Sequence, residues 1–327
     1  MIVIRRSRAR VIGISLGLLA AAGGATARGA ADGLRITAAA NLALRQTPAA
    51  GATAVAFLPL GTELTDVGPL GFDKTWVHVR LDDNREGWVI ADFTRPLDPG
   101  RRWQTIERIV TDRLSRRGDG FASSVELTDF VERVSPQIAD AVVAARFDLY
   151  RLQAMSATLA QIPAGHDKRD PYLSWLNRYQ GLIVYDAPGK RWMLSNPAIW
   201  QIHDRHPDAS SSDDLAWLAT TAGLPGECGG ALVCYFEGID RLDGQYLRAH
   251  PAGRHADAAV KAIGDAAAQL GATPADPRTH YVFDRARDCA ALAKTLDSLQ
   301  AAVGATSAAG KDEALRGLAG AGNACHR

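Results

Sequence analysis

The feature that most constrains the fold is a pair of short alternating segments separated by a turn. Residues 76–81 (WVHVRL) alternate apolar and polar side chains, which is the pattern of a half-buried β-strand. The sequence Asp82-Asp83-Asn84 supplies a turn, and residues 87–90 (GWVI) read as the next strand. Because a helix would bury side chains three or four residues apart, this part of the chain is predicted to be β-structure.

More segments of this kind precede the pair. They are apolar or alternating, they are separated by proline and glycine, and they cover residues 34–37, 42–44, 55–58 and 62–67. About five short strands within residues 34–97 predict a small, all-β barrel.

Four stretches of this region resemble bacterial SH3 (SH3b) domains in their order and spacing. They read NLALRQTP (41–48), FLPLGTELTDV (57–67), WVHVRL (76–81) and GWVIADFT (87–94). The resemblance implies an SH3-like β-barrel over residues 34–97 that contacts peptidoglycan or a protein partner in the cell envelope. The pattern departs from the family before Pro48 and in the insertion at residues 68–74.

Aromatic residues of this region are the expected ligand contacts. The resemblance implies that Phe72, Trp76, Trp88 and Phe93 are divided between the core and a ligand-binding groove. Trp76 and Trp88 stand at strand-periodic apolar positions, which favours burial. Phe72 stands in a loop, where binding residues concentrate, so it is the expected principal contact.

The remainder of the chain is predicted to be mainly helical, as a segment over residues 102–163 and a domain over residues 164–327. Ser123 and Glu126 have the spacing of a capping box. The dipeptide Ser135-Pro136 suits the N-cap and first position of a long helix that runs to Pro163.

A β-hairpin interrupts this helical region. Residues 181–195 (GLIVYDAPGKRWMLS) contain two short strands around Pro188-Gly189. Further along, residues 246–260 resemble one tetratricopeptide-like helical hairpin, with Pro251 and Gly253 in the turn. Stable arrays of such hairpins need about three units, so a single helical hairpin is predicted here and not an array.

The N-terminus predicts export. Four arginines precede an apolar run at residues 11–22, and Ala25-Thr26-Ala27 suits cleavage by a signal peptidase. The run is shorter than the ~20 residues that span a bilayer, so residues 1–27 are predicted to be a signal peptide and the mature chain not to be an integral membrane protein. The expected location is the periplasm or the extracellular space.

Four cysteines fit an oxidising compartment. An even number favours two disulfides, and three pairings are open to Cys228, Cys234, Cys289 and Cys325. The favoured pairing is Cys228–Cys234, because two glycines permit a tight loop, with Cys289–Cys325 following by elimination.

Charge and motifs exclude several functions. Four of the 37 basic residues and none of the 36 acidic residues lie in residues 1–27, so the mature chain has a net charge of about −3 and is not predicted to bind nucleic acid. His203 and His206 have a spacing that could hold a metal, but a solvated helix end is favoured and neither a metal nor a cofactor is predicted.

Catalytic sequence patterns are weak. Asp288-Cys289 resembles the start of a cysteine-peptidase site, but only His326 follows it, so Cys289 is read as half of a disulfide. The tryptophans Trp175, Trp192, Trp200 and Trp217 are read as core residues, with a cleft beside the hairpin as the alternative. We therefore predict a binding or scaffold protein and not an enzyme. The alternative is a cell-wall hydrolase with an active site in residues 164–250.

Overall fold

The computed structural model describes residues 33–68, 74–116, 118–271 and 283–325. An antiparallel β-region comes first and a mainly helical region follows, as the sequence predicts. The seven strands of the first region are, in chain order, β1 (Gly33–Thr37), β2 (Leu42–Arg45), β3 (Ala54–Leu58), β4 (Glu63–Asp66), β5 (Trp76–Arg80), β6 (Glu86–Ile90) and β7 (Thr94–Pro96).

These strands form one open antiparallel sheet in the order β3-β2-β6-β5-β4-β1-β7. The predicted hairpin pairs β5 with β6 and sets His78 opposite Trp88. Within the described residues β3 and β7 lie at opposite edges of the sheet, so the pairing does not close a barrel. The side chains still alternate between two faces of the sheet. The inner face carries the buried residues Leu44, Val77, Val79 and Val89.

The helices that follow are α1 (Arg102–Leu114), α2 (Phe121–Val134), α3 (Ala141–Leu159), α4 (Tyr172–Arg178), α5 (Asn196–His203), α6 (Ser212–Ala222), α7 (Leu232–Ile239), α8 (Gln245–Ala249), α9 (Ala256–Gly271), α10 (Arg285–Gly304) and α11 (Lys311–Gly322). The predicted hairpin is present between α4 and α5 as β8 (Ile183–Asp186) and β9 (Arg191–Leu194). A π-helical segment, Asp240–Gly244, joins α7 to α8.

The sheet and the first three helices share a hydrophobic core. Ile36, Leu60 and Leu97 of the β-region are buried in one cluster with Ile106 of α1 and Phe130 of α2. The β-region and the first three helices, which meet at the predicted boundary at residues 98–101, therefore bury apolar surface against each other.

Helix α2 is fastened to the sheet through the backbone of Leu60. The Leu60 N–H donates to Glu126 Oε1 at 2.5 Å, and its carbonyl accepts from Arg133 at 2.5 Å. The predicted capping box is therefore wrong: Glu126 reaches the sheet, Ser123 accepts from Arg113, and Gly120 stands at the N-cap of α2. The spacing of Ser123 and Glu126 suits a cap, but the Glu126 carboxylate accepts a hydrogen bond from the distant Leu60 N–H instead.

Helix α3 begins later than the sequence predicts. Its N-cap is Asp140, whose carboxylate accepts from the N–H groups of Val142 and Val143, while Ser135–Gln137 forms a separate 3-10 turn. The helix then serves two cores. Phe147 and Ala154 lie in the core shared with the sheet, whereas Leu149, Leu152, Met155 and Leu159 lie in the core of the C-terminal region.

Small residues let the C-terminal helices approach closely. A Cβ on Gly317 of α11 would lie 3.2 Å from Ala267 of α9, and one on Gly264 of α9 would lie 3.4 Å from Ala314 of α11. The residues after Gly304 are rich in alanine and glycine, and they are held by a disulfide and by helix packing. Cys325 is bonded to Cys289, and α11 packs against α9 and α10.

Two disulfides are present, with the pairing favoured from the sequence. Cys228 is bonded to Cys234, six residues away, and Cys289 is bonded to Cys325, 36 residues away. The first closes the loop that begins α7, and the second ties the end of α11 to the first turns of α10. In the part of the chain that the structure describes, none of the helices has the length and apolar composition needed to cross a bilayer.

The close contact between the sheet and α2 predicts that Gly61 does not accept a side chain. Its φ is +78°, and a Cβ would lie 2.0 Å from the ring of the buried Phe130. We expect Gly61→Ala to lower the free energy of unfolding by about 2–4 kcal/mol, through backbone strain and overpacking. Gly51→Ala is the matched control, since nothing lies within 4 Å of its Cβ position. Urea denaturation measures both, and equal stability of the two variants would contradict this packing.

The two disulfides are predicted to stabilise the fold unequally. The loop closed by Cys289 and Cys325 is the longer one, with a sequence separation of 36 against 6. Loop-closure entropy then predicts a loss of about 4 kcal/mol for the Cys289→Ser, Cys325→Ser pair and about 2 kcal/mol for the Cys228→Ser, Cys234→Ser pair. Denaturation of both double variants tests this ranking, and the reverse order would show that loop length does not govern these bonds.

Candidate functional site

The outer face of the sheet carries a group of aromatic and charged side chains. Register places Arg45 of β2 opposite Trp88 of β6, and Trp88 opposite His78 of β5. Residues that are directly opposite share a face, so these three side chains cross the sheet in a row. Phe57 of β3 pairs with Ala43, which precedes Arg45 by two residues, and so extends the row to the sheet edge. We call these four residues, Phe57, Arg45, Trp88 and His78, the outer-face row.

An aromatic stack lies at the centre of this row. The rings of Trp88 and His78 are 4.8 Å apart with an interplanar angle of 20°. Glu86 flanks the stack, 3.7 Å from His78 Nε2 and 3.6 Å from Arg80. The result is a half-buried aromatic stack bordered by charges of both signs.

The other end of the row is more open to solvent. Phe57 is 62% exposed, the largest exposure among the large apolar side chains that the structure describes as exposed. Arg45 is held in place by donating to the carbonyl of Ala52 at 2.7 Å. The row therefore combines an exposed ring, a positioned guanidinium and a half-buried indole stack.

The predicted contact residues have different environments. Trp76 is buried, with 7% of its surface exposed, and Trp88 is half-buried within the outer-face row. Phe93 is exposed on the 3-10 turn that follows β6. Phe72 lies outside the described residues. Arg45, Phe57 and His78 were missed, although their positions in alternating segments could have placed them on the same face as Trp88.

A cleft of about 350 Å³ lies beside the β8–β9 hairpin, between α3, β9 and α6. Its walls include Leu159, Trp192, Met193 and Leu218, and Arg191 is its only titratable lining residue among those described. Trp175 and Trp200 are buried in the adjoining core, as the sequence predicts for both. An acid–base pair is therefore not assembled within this cleft.

A polar cluster around the buried His203 joins α5, α6 and the turn after α8. His203 Nδ1 lies 2.9 Å from Asp204, and its Nε2 lies 2.9 Å from Nε2 of His250. In the neutral tautomer of His203 that donates Nδ1–H to Asp204, its Nε2 accepts a hydrogen bond and His250 donates one. Burial, together with the neighbouring His203 ring, lowers the pKa of His250.

This cluster does not have the geometry of a serine hydrolase. Ser212 Oγ lies 3.5 Å from Nε2 of His250, but that nitrogen is closer to His203 Nε2, at 2.9 Å. A general base needs a free lone pair toward the hydroxyl, and Ser212 is itself only 2% exposed.

The geometry also does not support the alternative interpretation that His203 and His206 bind a metal ion together. His206 bonds to Asp148 of α3 at 3.0 Å, whereas His203 faces His250. The described residues hold no group of three or more histidine, cysteine, aspartate or glutamate side chains able to bind a metal ion. Cys289 is disulfide-bonded, and His326 lies outside the described residues.

The turn of the helical hairpin is organised by Asp213. Its carboxylate accepts from the Tyr246 hydroxyl at 2.5 Å and from the Arg254 N–H at 2.8 Å. A Cβ on Gly253 would lie 2.4 Å from that hydroxyl, so glycine is required there. The hydrogen bonds from Tyr246 and Arg254 to Asp213 therefore hold the turn that precedes α9. Sequence analysis did not identify Asp213, since it lies 33 residues before Tyr246.

Comparison with protein-family models, with curated proteins and with solved structures found no match. The functional assignment therefore rests on the geometry of the chain itself.

One carboxyl group in the π-helical segment predicts a pH-dependent stability. Burial raises the pKa of Asp243 from 3.8 to about 6. The folded protein then binds more protons than the unfolded chain, so its stability falls as the pH rises from about 4 through 6. We expect Asp243→Asn to stabilise the protein by about 2–3 kcal/mol at pH 7.5, because 1.36 kcal/mol corresponds to one pKa unit, and to have little effect near pH 4.

Urea denaturation at the two pH values measures this difference. Asp265→Asn, which alters an exposed carboxylate on α9 paired with Lys261, is the control. The same stabilisation at both pH values would contradict a raised pKa of Asp243.

Proposed function

We propose that this protein is an exported cell-envelope protein that binds the glycan strands of peptidoglycan through the outer-face row. The observation that carries the proposal is the Trp88–His78 stack on the outer face of the sheet, with Arg45 and Glu86 beside it. The remaining chain supports this binding unit as a scaffold.

The chemistry of a sugar polymer suits this surface. A sugar ring has an apolar C–H face and a rim of hydroxyl groups, so it pairs with a flat ring that has polar neighbours. Phe57 offers an exposed ring and Trp88 a partly exposed one, each with few rotatable bonds, and Arg45, Arg80 and Glu86 offer donors and acceptors at the border. Because the row crosses the strands from β5 toward β3, it can follow an extended chain.

The compartment is supported by separate features. Two disulfides fit an oxidising environment, and the N-terminal sequence has the layout of a signal peptide. The resemblance of residues 34–97 to bacterial SH3 domains adds a family-level argument for envelope binding. The family's closed barrel is not needed for this proposal, since the row depends only on the pairing of β2, β3, β5 and β6.

Sedimentation with purified peptidoglycan tests the proposal on the disulfide-bonded protein. We expect Phe57→Ala and Arg45→Gln each to weaken binding about three- to tenfold, and Trp88→Ala to weaken it more, since truncation at the centre of a binding surface costs ~2 kcal/mol or more. Phe57→Ala is the most informative of these variants, because Phe57 is exposed and its truncation should leave the stability of the fold nearly unchanged. Tyr185→Ala, an exposed aromatic change on the β8–β9 hairpin, is the control.

Three results would change the assignment. Equal binding by wild type and Phe57→Ala, Arg45→Gln and Trp88→Ala would remove the outer-face row from the site. Failure of the wild-type protein to sediment with peptidoglycan would overturn the glycan ligand and favour a protein partner. Release of soluble muropeptides during the assay would replace the binding role with that of a cell-wall hydrolase.

A further inference from the structure

Two histidine side chains meet between the end of α5 and the turn after α8, away from the outer-face row. Nε2 of His203 lies 2.9 Å from Nε2 of His250, and the two rings are nearly perpendicular, with an interplanar angle of 89°. A hydrogen bond between two ring nitrogens needs one proton and one lone pair, because one nitrogen donates and the other accepts. The contact therefore holds a single proton between the two rings, whichever ring carries it.

The pair can carry one positive charge and keep this hydrogen bond, but it cannot carry two. If His203 is the imidazolium, its Nδ1–H faces Asp204 at 2.9 Å and its Nε2–H is donated to a neutral His250. If both rings were charged, each Nε2 would carry a hydrogen, and neither could accept. Two hydrogens do not fit between nitrogens that are 2.9 Å apart, so full protonation requires the rings to separate.

Buried neighbours hold both rings in this contact. His203 is 7% exposed and packs edge-on against the buried Trp200, with ring centroids 4.8 Å apart. On the other side, the ring of the fully buried Tyr246 lies 5.9 Å from that of His250, and the buried Ser212 lies 3.5 Å from its Nε2. A ring that leaves the contact therefore gives up packing as well as a hydrogen bond.

The carboxylates around the pair do not offset a second positive charge. Asp204 is 72% exposed, so solvent screens its charge. Asp213 favours the charged form of His250, but burial and the His203 ring outweigh it, and the pKa of His250 lies below its ordinary value. The other charged groups of the adjoining elements are paired among themselves: Arg254 and His255 with Asp214 of α6, and Arg205 and His206 with Asp148 of α3.

We propose that the His203–His250 pair is an acid-sensitive contact, which holds the end of α5 to the turn after α8 while it carries at most one positive charge and breaks when it takes up a second. In the unfolded chain each histidine binds a proton below a pH of about 6.5, so the unfolded chain binds one proton more than the folded pair. Stability therefore falls as the pH falls below about 6.5. The inference is independent of glycan binding, because it uses none of the residues of the outer-face row.

Urea denaturation of the disulfide-bonded wild type and of His250→Gln, at pH 7.5 and at pH 5.2, tests the proposal. Glutamine has both an N–H and a carbonyl oxygen to pair with His203, but it does not titrate. Between the two pH values the unfolding equilibrium constant should rise about twentyfold more in the wild type than in the variant, because one histidine of the unfolded chain with a pKa near 6.5 gains a proton that the folded pair does not. The contribution of Asp243 is common to both proteins and cancels in this comparison.

His166→Gln is the matched control, since it makes the same chemical change at a histidine that precedes α4 and lies beside Tyr172. This variant should keep the pH dependence of the wild type. The same pH dependence in His250→Gln as in the wild type would overturn the proposal. An equal loss of pH dependence in His166→Gln would also overturn it, because the effect would then not belong to the pair.

Hydrogen exchange of the wild-type protein locates the effect and remains decisive even if His250→Gln does not fold. The N–H groups of Asp204 and His250 donate to the carbonyls of Trp200 and Tyr246, and so report on the two sides of the contact. After correction for the intrinsic exchange rate, their protection should fall about tenfold between pH 7.5 and pH 5.2, with little change in the β5–β6 pair. An equal change in both regions would overturn the proposal, as would an NMR titration in which both rings become fully protonated while this protection is retained.

Discussion

The structure depends on a helix that is buried along two of its faces. Phe147 and Ala154 of α3 pack toward the sheet, and Leu149, Leu152 and Leu159 pack toward the C-terminal helices. Charged contacts reinforce the first of these sides, since Arg146 bonds to Glu107 of α1 and Arg151 bonds to Glu132 of α2. Shared hydrophobic clusters therefore cross the predicted boundaries near residues 101 and 163.

Much of this architecture could be predicted because its signals are local. Alternation located the strands, proline and glycine located the hairpin turn, and the two glycines between Cys228 and Cys234 indicated a short disulfide loop. The second apolar stripe of α3 could not be predicted from the sequence, because a single apolar stripe already explains an ordinary amphipathic helix. The cap of α2 was misread for a related reason: Glu126 has the spacing of a local cap but bonds to a backbone N–H that lies 66 residues earlier.

Candidate sites were harder to predict than the fold. Trp88 could be selected as an aromatic residue, but its partners Arg45 and His78 come from strands β2 and β5, and only the register brings them together. The same is true of the polar cluster, in which His203 meets a histidine 47 residues away and not its neighbour His206. A site assembled across strands or helices depends on tertiary pairing, which spacing within one element cannot reveal.

The position of β3 has a consequence for self-association. An edge strand with exposed Val55 and Phe57 offers a second chain both hydrogen-bonding groups and apolar contacts, which is the usual starting point of aggregation. Three features limit that growth: the strand has only five residues, its register with β2 shifts between Leu44 and Arg45, and Pro59 follows it directly. An exposed binding surface at a sheet edge is thus kept too short and too irregular to template a copy of itself.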